Sequence, residues 1–74
     1  MPRLRVKELA EARGLRVPDL VRAGMSINTA RRYWHGTATG GPKGRNLSSW
    51  EPDTLVKIAT ALKVHPSELI DWEL

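Results

Sequence analysis

The sequence predicts an all-α fold, a small five-helix bundle. Three observations predict it. Apolar residues recur at helical spacing. Prolines and capping residues stand where helices would start, and glycines where they would stop. The chain has 74 residues, 41% of them apolar and 27% charged, which suits one globular domain over residues 1–74.

The first helix is expected over residues 4–13. Val6, Leu9, Ala10 and Arg13 share a face, and Gly14 stops the helix in the usual C-terminal manner. Leu15 carries an apolar side chain into the turn. The second helix is expected over residues 18–23. Pro18 suits a first helical position, because its missing N–H is an orphan there. Asp19 favours the helix dipole, Leu20, Val21 and Ala23 give the buried side, and Gly24 breaks the helix.

The third helix is expected over residues 26–35. Ser26 is a good N-cap, and Met25 before it can fold back on Ala30. Gly36 ends it. Residues 36–49 then hold four glycines, one proline, Lys43 and Arg45 with no period. They read as a long, basic, mobile loop.

Glu51 and Pro52 open the fourth helix, with Trp50 placed to staple onto Leu55. Leu55, Ile58, Ala59 and Leu62 form its apolar stripe. Pro66 opens the fifth, where Glu68 can reach back to its start at His65 and Val64 can pack on Leu69. Ile70, Trp72 and Leu74 finish the chain. No strand is expected.

Composition excludes several classes of function. The absence of cysteine rules out disulfides, thiolate–zinc sites and thiol catalysis. Two histidines, His35 and His65, make a dedicated metal cage a poor reading, with His65 better placed as a cap. No apolar run is long enough for a spanning helix or a signal peptide, so a cytoplasmic location is expected. No nucleophile has a paired base, so the protein is not expected to be an enzyme. The segment Gly40-Gly41-Pro42-Lys43-Gly44 lacks the Gly-Lys-Ser/Thr ending and the preceding strand of a phosphate loop. No helix pairs a wide apolar face with a run of cations, which argues against a membrane surface. Neither a cofactor nor a small-molecule ligand is expected.

The charge points to a partner. The net charge is +4. Residues 1–50 hold ten Lys/Arg against three acids, and residues 51–74 two Lys against five. A basic front on an acidic tail suits one nucleic-acid-binding face.

Residues 20–26 read helix, glycine, capped helix, the form of a helix-turn-helix. A tight reversal there often needs a positive φ, which glycine supplies. At about 100° per residue, with Ile27 at zero, Arg31 falls near 40°, His35 near 80°, Asn28 near 100° and Arg32 near 140°. Thr29, Ala30, Tyr33 and Trp34 occupy roughly 200–340°. One face is polar and cationic, and the other is apolar and aromatic. The apolar face should pack on the bundle, and the cationic face is free for a major groove.

Arg pairs with guanine edges and Asn with adenine, while Ile can touch a thymine methyl. Ile27, Asn28, Arg31 and Arg32 are therefore the expected base contacts. Ser26, His35, Lys43 and Arg45 are the expected backbone contacts. The competing reading of Arg31 and Arg32 is a solvated face. It is weakened because no acid lies within four residues on either side. Arg3, Arg5 and Lys7 either track phosphates or form a frayed terminus.

The chain resembles the Xre-type helix-turn-helix family, the lambda-repressor-like fold of the phage Cro and repressor DNA-binding domains. Residues 7–15 (KELAEARGL) resemble its first helix and Gly-Leu exit. Gly24-Met25-Ser26 resembles its turn, and residues 31–36 (RRYWHG) the end of its recognition helix. Residues 52–69 (PDTLVKIATALKVHPSEL) are the closest and most specific stretch. The resemblance implies a five-helix domain that binds double-stranded DNA, usually as a transcriptional regulator and often as a homodimer. Three departures stand out. Val17-Pro18 replace a phosphate-contacting Gln common at the start of the second helix. The second helix or turn is one residue short. The loop after Gly36 is expanded. The alternative reading is a protein-binding or antitoxin module. It rests on the apolar, acidic tail Ile70-Asp71-Trp72-Glu73-Leu74, which could also carry a homodimer contact.

Overall fold

The computed structural model describes residues 3–47 and 49–71. A short strand, β1 (Arg3–Leu4), leads into four helices: α1 (Val6–Glu11), α2 (Val17–Arg22), α3 (Ile27–His35) and α4 (Pro52–Leu62). A single 3-10 turn, Pro66–Leu69, and a second strand, β2 (Ile70–Asp71), follow. No helix among the described residues is long and apolar enough to cross a membrane.

Four expectations are corrected here: the fifth helix, the absence of strands, and the starts of the first and second helices. The fifth helix is only one 3-10 turn, so the described bundle has four α-helices. Its start signals are real: the Glu68 carboxylate accepts from the His65 N–H at 2.9 Å, and His65 Nδ1 accepts from the Ser67 N–H at 3.2 Å. The chain then leaves the turn extended, because Ile70 and Asp71 find a backbone partner. They pair antiparallel with β1 in the register Arg3↔Asp71 and Leu4↔Ile70. The Arg5 N–H reaches the Leu69 carbonyl at 2.6 Å, and Arg3 faces Asp71 at 3.6 Å. That pairing takes Leu4 out of the expected first helix, which opens only at Val6. The second helix likewise starts at Val17, one residue early, with the Asp19 carboxylate capping the Arg16 N–H at 2.8 Å.

The core is drawn from all four helices and the turn. Val6, Leu20, Ile58, Leu62 and Leu69 are fully buried, with Ala10, Ala30 and Ala59 filling the close helix approaches. Each large apolar side chain contributes on the order of 1.5–3 kcal/mol by leaving water. Tyr33 and Trp34 also belong to this core, as their place on the apolar face of the third helix foretold.

The expected loop is a loop, and it closes on itself as a hairpin. Thr37 bridges Asn46, Ala38 N–H donates to the Arg45 carbonyl at 2.7 Å, and Leu47 N–H donates to the Gly36 carbonyl at 2.8 Å. The Thr37 side chain is buried and its hydroxyl closes the hairpin on the Gly41 carbonyl at 2.7 Å. A single bridge between Thr37 and Asn46 is too short to leave an alternating pattern in the sequence. Ser48, Trp72, Glu73 and Leu74 lie outside the described residues, and with them most of the expected interaction tail.

Candidate nucleic-acid interface

The turn between α2 and α3 is tight because Gly24 adopts φ 115°, a backbone conformation side-chain-bearing residues rarely take. Lys57, on α4, lies across this turn and donates from Nζ to the Gly24 carbonyl at 3.1 Å. Ser26 then caps α3. Its hydroxyl oxygen accepts from the Thr29 N–H at 3.2 Å. The amides of Ile27 and Asn28 precede the first intrahelical bond, so both point out of the helix end.

The predicted stripe on α3 is only partly open. Ile27, Asn28 and Arg31 are exposed. Arg32 is half-buried. Its Nη2 donates to Thr29 Oγ1 at 3.1 Å, and its Nε is buried without a partner. The hairpin folds back along the helix. Gly40, at φ 85°, lies so close that an added Cβ would sit 3.3 Å from the Arg31 Cβ and 3.7 Å from Arg32. Only a residue without a side chain fits that seat comfortably. The C-terminal half of the stripe is thus flanked by the hairpin, and the N-terminal half stands clear.

Of the expected backbone contacts, Lys43 and Arg45 are exposed on the hairpin. His35 is half-buried at the opposite end of α3 from Ser26 and lines a groove with Lys7, Pro42 and Asn46. The Ser26 hydroxyl is taken up within the helix cap, since it also donates to Thr29 Oγ1 at 3.0 Å. Arg3 and Arg5, left between two readings by the sequence, are paired with Asp71 and Glu8.

The electrostatics sharpen the picture. Residues 20–50 contain no Asp or Glu. Among the described residues, Arg31, Lys43 and Arg45 have no acid partner, whereas Arg5 and Arg22 are matched to Glu8 and Asp19. Lys7, Arg13, Arg16, Lys57 and Lys63 also lack an ion-pair partner among the described residues, so what sets α3 and the hairpin apart is the absence of any acid between residues 20 and 50. Sequence reasoning missed the hairpin's contact with α3, and it missed Lys57. A signal for Lys57 existed, since it is the single cation in α4.

A helix-turn-helix whose second helix is basic and open over its N-terminal half is the geometry of a major-groove reader. Searches of curated proteins and of solved structures gave no match. A family model described as a Cro/C1-type HTH DNA-binding domain matches residues 5–74. That match spans nearly the whole chain, and the protein belongs to the Cro/C1-type HTH DNA-binding domain family.

Proposed function

We propose that the protein binds double-stranded DNA sequence-specifically as a transcriptional regulator in the cytoplasm, without catalysis or a cofactor. The N-terminal half of α3 enters the major groove. The observation that carries this reading is the exposed run Ile27, Asn28 and Arg31, none engaged by an acid. Arg31 suits a guanine edge, Asn28 an adenine edge, and Ile27 a thymine methyl. Arg32 moves from the base contacts to the groove wall, because its guanidinium is turned toward Thr29.

Phosphates on either side are held by different groups. The free amides of Ile27 and Asn28, positioned by the Ser26 cap, suit one strand. Lys43 and Arg45, exposed on the hairpin, suit the other. A homodimer would set two copies of α3 about 34–36 Å apart on a palindrome. The protein-binding alternative gains little support from the described surface. Its exposed large apolar residues, Val21, Ile27 and Val56, fall one each on α2, α3 and α4.

Selection from a random duplex library, followed by a salt titration of the winner, tests the proposal. An enriched motif bound with steep salt dependence is the expected result. Recovery of no motif would remove sequence specificity. Binding that ignores salt would remove the phosphate contacts as well.

A further inference from the structure

A second polar site lies on the flank of α3 that faces α4. It is a groove of about 310 Å³ lined by Ser26, Thr29, Arg32, Tyr33, Glu51 and Lys57, among others. Hydrogen-bond donors converge on it. Thr29 Oγ1 accepts from both Ser26 and Arg32, which leaves the Thr29 proton for another acceptor. The Tyr33 hydroxyl accepts from the Glu51 N–H at 2.8 Å, so its proton is also unspent. Lys57 uses one of three ammonium protons on Gly24. Arg32 uses one guanidinium proton on Thr29, and its buried Nε has no partner. Two cations and two hydroxyl protons thus face one groove, against a single carboxylate, the exposed Glu51 at its edge.

We infer that this groove seats one phosphodiester of the DNA backbone, held by Arg32, Lys57, Thr29 and Tyr33. The inference rests on the DNA-binding reading above and deepens it. On the helical wheel, Arg32 and Thr29 flank the base-facing stripe at about 140° and 200°, where the wall of a major groove would run past α3. A tetrahedral anion offers acceptors in several directions and matches this donor-rich, acceptor-poor set. The seat explains why Arg32 is turned away from the stripe, and it gives Lys57 a role.

The test compares Lys57→Gln and Tyr33→Phe with wild type on two duplexes, one selected and one scrambled to the same length. Lys63→Asn serves as the charge control, since Lys63 caps the far end of α4 at φ 58°, where Asn is tolerated. A phosphate seat predicts that Lys57→Gln weakens both duplexes by the same factor, roughly tenfold. The log–log salt slope should become shallower by about 0.9. Tyr33→Phe should weaken both equally and leave the slope intact, and Lys63→Asn should do neither. A loss of folding stability alone would lower Tm and leave the slope unchanged. A Lys57→Gln slope equal to that of wild type overturns the seat while DNA binding stands. Loss on the selected duplex only, with a changed motif, overturns it in favour of base reading. Failure of the wild type to bind either duplex overturns the seat and the proposed function together.

Discussion

Arg31 and Arg32 are adjacent and chemically identical, yet their surroundings give them different work. Arg31 projects into solvent with no acid partner, while Arg32 bends onto Thr29 and buries its Nε. Only a residue with a free fork can make the two parallel bonds that read guanine. Arg31→Ala should therefore cost the selected duplex about 1–3 kcal/mol more than a scrambled one. Fluorescence anisotropy at fixed salt measures both. An equal loss on the two duplexes would remove Arg31 from base reading. Arg31→Lys should recover the scrambled duplex and little of the selected one, because an ammonium lacks the fork.

At the scale of elements, the turn before α3 depends on one backbone conformation. An alanine Cβ at Gly24 would meet the Lys57 side chain at an ordinary 3.7 Å, so space is not the difficulty. The difficulty is φ 115°, which costs a side-chain-bearing residue on the order of 1–3 kcal/mol. Gly24→Ala should lower the urea midpoint accordingly, with little change in m-value. The first turn of α1 carries a second, pH-dependent contribution. A 3.1 Å hydrogen bond from Arg5 holds the Glu8 carboxyl below its ordinary value of 4.5, with the Arg5 charge adding to the effect. A lowered carboxylate pKa stabilises the fold above the ordinary value, and the gain is lost as pH falls through the folded one. Glu8→Gln should therefore melt slightly below wild type at neutral pH. The two melting curves should converge in acid. The pair lies at the surface, with Glu8 exposed and Arg5 half-exposed, and solvent screening keeps the effect small.

For the molecule as a whole, a thin core makes every large apolar residue count. Leu20 is fully buried where α2 meets α3 and α4. Leu20→Ala should cost about 2–5 kcal/mol. A domain of this size has about 5–15 kcal/mol in total, so thermal unfolding should begin near physiological temperature. Ile70 was read from the sequence as part of an interaction tail. Here it pairs with Leu4 and packs against the core, so part of that tail closes the protein's own fold. Light scattering with and without selected duplex tests the proposed homodimer. A strict monomer on a palindromic site would count against it.

The sequence by itself determined the existence of the four α-helices, the start signals of α3, α4 and the 3-10 turn, and the cationic character of α3. Such features depend on neighbours three or four residues away, and that spacing is written in the chain. Ser26, Pro52 and the pair His65 and Glu68 stand where their helices or turns begin. Tertiary structure alone decided the rest. Whether Leu4 joined a helix or a strand depended on Ile70, at the far end of the chain. Whether residues 36–47 lay loose or closed into a hairpin depended on Thr37 finding Asn46 and Gly40 finding the flank of α3. Arg32 and Lys57 were likewise assigned by what packs beside them. Local periodicity carries no information about partners that only folding brings together.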